Sequence, residues 1–147
     1  MNDKKLLKVA IATALLTGAG IAQAGPEVTI TFKNTGNMEA VYDVVGSSAF
    51  SYAEANPKPD PGVKSGELDV YRVKGSQSPD VTSVVFQYTM GPKICKFKTS
   101  YLNLPGRSGK APKWNKSAQA SGGARCDVNI TSANMATHDW AVEFTMR

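Results

Sequence analysis

Apolar and polar residues alternate with a period of two along most of the chain beyond residue 26, and that pattern excludes most folds. Glu27–Lys33 reads EVTITFK, with Val28, Ile30 and Phe32 on one face and Thr29, Thr31 and Lys33 on the other. Ile94–Leu102 (ICKFKTSYL) sets Cys95, Phe97, Thr99 and Tyr101 against Lys96, Lys98 and Ser100. A strand turns successive side chains to opposite faces, so each such stretch covers a core with one face and meets water with the other. Met38–Val45, Gly66–Val73, Val81–Tyr88, Arg125–Thr131 and Trp140–Met146 also read as strands, with turn residues between them. Only Ser51–Ala55, with Ser51 and Glu54 at capping-box spacing, suits a helical turn. About seven short strands and no long helix predict an all-β fold, an antiparallel β-sandwich of immunoglobulin-like size. A small β-barrel is the alternative.

Finer expectations follow. Glu27–Lys33 and Met38–Val45 form a first hairpin across Asn34–Asn37, with Met38, Ala40, Tyr42 and Val44 turned inward. Val81–Tyr88 suits a central strand, and residues 81–102 read as the clearest hairpin. The prolines of Asn56–Gly62 make a stiff exposed loop. Asn103–Ala124 reads as a long loop, because Pro105, Gly106, Gly109, Pro112, Gly122 and Gly123 interrupt it. Trp114 would sit in that loop, so the Cys–Trp–Cys arrangement of immunoglobulin domains is only half met.

The first residues read as a leader. Lys4, Lys5 and Lys8 precede the apolar run Val9–Leu16, and Ala22-Gln23-Ala24 gives an A-x-A site. Residues 1–24 are therefore expected to be a cleavable signal peptide of bacterial style, and 25–147 a single β-sandwich domain. The expected location is periplasmic or secreted. Cys95 and Cys126, the two cysteines of the chain, are then expected to form a disulfide. Both fall on the apolar faces of their strands. The bond could cross the core or join neighbouring strands at an edge.

Motifs for catalysis are missing. His138 is the one histidine, which excludes multi-histidine zinc sites, and it is expected in a surface turn. Asp139 is adjacent to it, but no G-x-S-x-G elbow supplies a nucleophile. Gly106-Arg107-Ser108-Gly109-Lys110 lacks the first glycine and the hydroxyl residue of a phosphate loop. Glu67 and Asp69 share a strand face and are expected to be solvated acids. No enzyme activity and no cofactor are expected.

Charge is distributed unevenly. Residues 25–90 carry a net charge of −3 and residues 91–147 a net charge of +6. Between Lys93 and Arg125 stand eight basic residues and no carboxylate. Lys96, Lys98, Arg107, Lys110, Lys113, Trp114, Lys116 and Arg125 are thus candidates for gripping an anionic partner. Cations around a tryptophan suit an anionic surface, a glycan, a lipid headgroup or a nucleic-acid backbone, and an acidic protein is a further candidate. The failed phosphate loop and expected export exclude ATP, and nucleic acid is not the expected partner. The expected function is binding through a basic loop, residues 103–125. The alternative is a membrane-active secreted toxin. In length and strand count the chain is similar to the aegerolysins, although those are acidic and richer in tryptophan.

Overall fold

A computed structural model describes residues 24–147; the leader expected over residues 1–24 lies, but for Ala24, outside them. Two five-stranded sheets pack face to face as a β-sandwich. The first holds β1 (Glu27–Asn34), β3 (Ala55–Asn56), β5 (Leu68–Lys74), β9 (Cys126–Ala133) and β10 (Trp140–Met146), in the order β3-β5-β1-β10-β9. The second holds β2 (Ala40–Asp43), β4 (Gly62–Val63), β6 (Val81–Met90), β7 (Lys93–Gly106) and β8 (Gly109–Ser121), in the order β4-β2-β6-β7-β8. The central pair β1 and β10 runs parallel; the other pairings are antiparallel. One helix, α1 (Ser48–Glu54), is the only one among the described residues.

The inward faces are the alternating apolar sets. Val28, Ile30, Phe32, Val142, Phe144 and Met146 from the first sheet meet Val84, Phe86, Tyr88, Met90, Phe97 and Tyr101 from the second, all essentially without exposure. Phe32 lies flat on Tyr88 with ring centroids 3.6 Å apart, and Phe86 meets Phe144 edge-on at 4.8 Å. Such pairs add about 0.5–1.5 kcal/mol beyond their burial. They also fix how the sheets face each other.

The expected first hairpin does not form. β1 and β2 belong to different sheets. The buried Asn34 side chain makes the crossing: its amide donates to the carbonyls of Met38 (2.7 Å) and Val63 (2.8 Å), and its oxygen accepts from the Gly36 N–H (2.9 Å). A polar side chain that satisfies the backbone of the turn lets the chain change sheets instead of folding back. β2 is accordingly short, and Met38 and Val44 are exposed while Ala40 and Tyr42 are buried. The helix starts earlier than Ser51. Ser47 is at its N-cap and makes no side-chain capping bond, while Ser51 is buried.

The largest correction is Asn103–Ala124. It is no loop. β7 continues to Gly106 and β8 pairs with it residue by residue, from Gly106 opposite Gly109 to Ile94 opposite Ser121. The glycines and prolines mark ends and an edge. Arg107 and Ser108 form the tip, Pro112 needs no N–H on an edge strand, and Gly122-Gly123 turns the chain toward β9. Gly122 has φ +62°, and a Cβ there would lie 1.8 Å from the Pro92 carbonyl oxygen.

Cys95 on β7 and Cys126 on β9 form a disulfide with Cα atoms 5.7 Å apart. It ties the two sheets together near their β8 and β9 edges. The bond closes a loop of sequence separation 31, which chain-entropy arithmetic values at about 3–4 kcal/mol. The double variant Cys95→Ala/Cys126→Ala should lose about that much stability in urea denaturation under oxidising conditions. Adding reductant should lower the wild type toward the variant and leave the variant unchanged.

Candidate functional site

Burial of Cys95, Phe97, Thr99 and Tyr101 forces the intervening residues of β7 onto the outer face of the second sheet. Lys96 stands between Gln87 on β6 and Gln119 on β8, and Lys98 between Val85 and Ser117. Ser100 stands between Ser83 and Asn115, and Leu102 between Val81 and Lys113. Residues opposite one another share a face, so Lys96, Lys98 and Lys113 project together from a ground of serine, asparagine and glutamine. Lys96 and Lys98 are about 7 Å apart along the strand. None of the three lysines makes an ion pair among the described residues. The nearest carboxylate by register is Asp43 at the β2 margin, which accepts a hydrogen bond from Gln87 at 2.9 Å. A hollow of about 240 Å³ lies between Lys96, Lys98, Ser117 and Gln119, and one of about 310 Å³ between Lys98, Ser100, Leu102 and Asn115.

The other candidates stand elsewhere. Lys110 is bound by Asp80, whose carboxyl is held below its usual range by that hydrogen bond first and by Asn103 second. Lys116 is opposite Thr99, on the other side of β8, and reaches Asn129 on β9 at 3.4 Å. Arg107 is at the hairpin tip. Arg125 exchanges backbone hydrogen bonds with Arg147 at the far end of the strand pair. Sequence reading thus named the lysines of the face, but grouped them with five residues that the fold disperses.

Trp114 faces inward, opposite Tyr101, and packs half-buried against the core. Its indole N–H donates to the His138 carbonyl at 3.1 Å. His138 is likewise no free surface histidine. Its ring stacks on Tyr101, with 2.7 Å between Nδ1 and the tyrosine oxygen. Asp139 instead accepts the Glu27 N–H at 2.7 Å, so the two neighbours in sequence have separate partners. His138 holds φ 65°, a left-handed backbone that this packing sustains.

Asp69 was expected in water beside Glu67. Glu67 is exposed, but Asp69 alternates with exposed Leu68 and Val70 on β5 and is 6% exposed. It accepts the Asp60 N–H at 2.9 Å and anchors the proline loop. Burial pushes its carboxyl above the usual range, with the Asp60 charge adding, while the N–H bond opposes. The hydroxyls of Tyr71 and Tyr88 are buried without a hydrogen bond of good geometry among the described residues. Burial raises both phenols, and that of Tyr42. The sequence signal for an inward Asp69 was its parity with Tyr71 and Val73.

Among the described residues no group of three or more histidine, cysteine or acidic side chains could hold a metal ion. No helix of the described residues is long and apolar enough to cross a membrane. No protein-family model, curated protein or solved structure matches this chain.

The raised Asp69 carboxyl has a definite pH signature. The folded state holds this proton to higher pH than the unfolded chain, which releases it near pH 3.9. The contribution of Asp69 to stability is therefore complete below pH 3.9 and falls as pH rises through the folded-state value. Asp69→Asn keeps an acceptor for Asp60. Its melting temperature relative to wild type should rise between about pH 4 and pH 7. A relative fall over that range in a thermal melt series would reverse the assignment.

Proposed function

We propose that this chain is an exported, non-enzymatic binding protein of the periplasm or the extracellular medium. In this reading it presents the outer face of β6, β7 and β8 to an anionic surface, glycan, lipid headgroup or acidic protein. One observation carries the reading: Lys96, Lys98 and Lys113 share one sheet face, unpaired among the described residues, and β7 and β8 contain no carboxylate. A disulfide-bonded β fold is consistent with export. The inward packing of Trp114 moves the reading from a loop to a sheet face. Polar neighbours such as Ser117, Asn115 and Gln119 can donate hydrogen bonds to sulfate or carboxylate oxygens between the lysines.

A membrane-active protein is the second reading. Val81 and Leu104 are 42% and 49% exposed at the hairpin end of this face, where Lys113 also stands, and an apolar group beside a cation suits a headgroup layer.

Heparin is a suitable probe of the first reading. Each lysine near an anionic surface is worth about 1 kcal/mol, so three together are worth about two orders of magnitude in affinity. Lys96→Glu/Lys98→Glu/Lys113→Glu should lose at least that, and wild-type binding should weaken steeply with salt. Lys110→Gln and Arg125→Gln should bind nearly as wild type. Equal loss in all these variants would return the weight to overall charge. Dye release from phosphatidylglycerol vesicles, with a blue shift of tryptophan emission, would favour the second reading.

A further inference from the structure

A second place on the molecule adjoins the basic face along β6, where strand backbone is left uncovered. β6 pairs with β7 along its whole length, but on its other side β2 covers only Gln87–Thr89. The chain leaves β2 at Asp43 and enters α1, which closes part of the gap. Ser51 Oγ accepts the Val85 N–H at 2.9 Å, and at the other end the Ser78 carbonyl accepts the Val81 N–H at 3.4 Å.

In an antiparallel strand, the N–H and C=O of one residue point to the same side and successive residues alternate. Asp80 accepts the Asn103 N–H, so even-numbered residues face β7, while Val81 and Val85 face the gap. Ser83 lies between them. Its N–H and C=O therefore point into the gap, where no described residue bonds them.

The gap is a slot of about 580 Å³. Phe50 and Glu54, one turn apart on α1, stand on one wall, and Ser76 and Ser78 on the other. Phe50 is 47% exposed and Val81 42% exposed, which leaves an apolar platform at the mouth. Among the described residues, Glu54 is the only charged residue lining the slot. One of its oxygens, Oε1, accepts from the Ser76 N–H at 3.2 Å and from the Ser76 hydroxyl. Oε2 has no partner and Glu54 no ion pair among the described residues.

We propose that this slot binds a short extended peptide as an added strand: its main chain pairs with Ser83, an apolar side chain covers Phe50 and Val81, and a lysine, an arginine or a free amino terminus meets Glu54. From Val81 to Val85 the strand rises about 13 Å, room for three or four residues of a partner. Main-chain pairing supplies affinity in such recognition, and the flanking pocket supplies specificity. The lone carboxylate selects against acidic peptides, the opposite of the preference expected of the lysine face.

Panning a phage-displayed library of random heptapeptides on the oxidised protein tests this directly. Enriched sequences should pair an apolar residue with a nearby lysine or arginine. Synthetic copies should bind at least tenfold more weakly to Glu54→Gln. Ser83→Pro, which removes the free donor while leaving the β7 ladder intact, should weaken them as much. N-methylation of the peptide's central amide should do the same with no change to the protein. Lys96→Glu/Lys98→Glu should not weaken binding, because added negative charge beside Val85 favours a cationic peptide. No enrichment overturns the proposal, as does binding indifferent to both Glu54→Gln and N-methylation. An acidic consensus lost in Lys96→Glu/Lys98→Glu also overturns it.

Discussion

Burial of Cys95, Phe97, Thr99 and Tyr101 in one face of β7 decides what every neighbouring side chain can do. A slip of one residue would send Lys96 and Lys98 into a core of aromatic rings and leave Phe97 in water. Removing an unpaired ammonium from water costs several kcal/mol, so the register is held firmly. β6 and β8 take their registers from β7, and with them the outer face. The disulfide pins the same strand to β9 in the opposite sheet. The lysine face is therefore a consequence of how the core is packed, and the backbone that carries it is held as firmly as the core.

Rigidity changes what basic residues can do. On a flexible loop, lysines spread over Asn103–Ala124 would each lose conformational freedom on meeting a partner. On a sheet the spacing of their backbone positions is set in advance, so under the proposed function an anionic partner would meet a prearranged set of cations. The fold also removes candidates from the set. Lys110 is neutralised by Asp80, and Trp114 is committed to Tyr101 and His138. The slot beside α1 arises from the opposite circumstance, a strand edge that β2 is too short to cover. One sheet thus offers a charged face and, at one edge, an open stretch of backbone.

Much of this was legible in the sequence, because alternation is a local property of a half-buried strand. The face of β7 that carries Lys96 and Lys98 could be read from Ile94–Leu102 alone. What failed were partnerships. Asn34–Asn37 has the composition of a hairpin turn, yet the amide of Asn34 serves carbonyls in two other segments, and only tertiary context reveals that. Gly109, Pro112 and Gly122 looked like loop markers because their roles at a hairpin tip, a strand edge and a tight crossing depend on what lies beside them. β8 has weak β character of its own and is held as a strand by β7. The free edge at Ser83 was invisible for the same reason, since a gap in a sheet has no signature in the strand that borders it.

Limited trypsin digestion of the native, oxidised protein tests the central claim most directly, because a paired strand cannot enter a protease site without unfolding. Between Lys93 and Ser121, cleavage should be confined to the exposed tip at Arg107, with Lys113 and Lys116 protected to the same degree as Lys96 and Lys98 in β7. Rapid cutting after Lys113 and Lys116 in protein that keeps its native spectrum would mean that this segment is a flexible arm, and that the lysines share no fixed face.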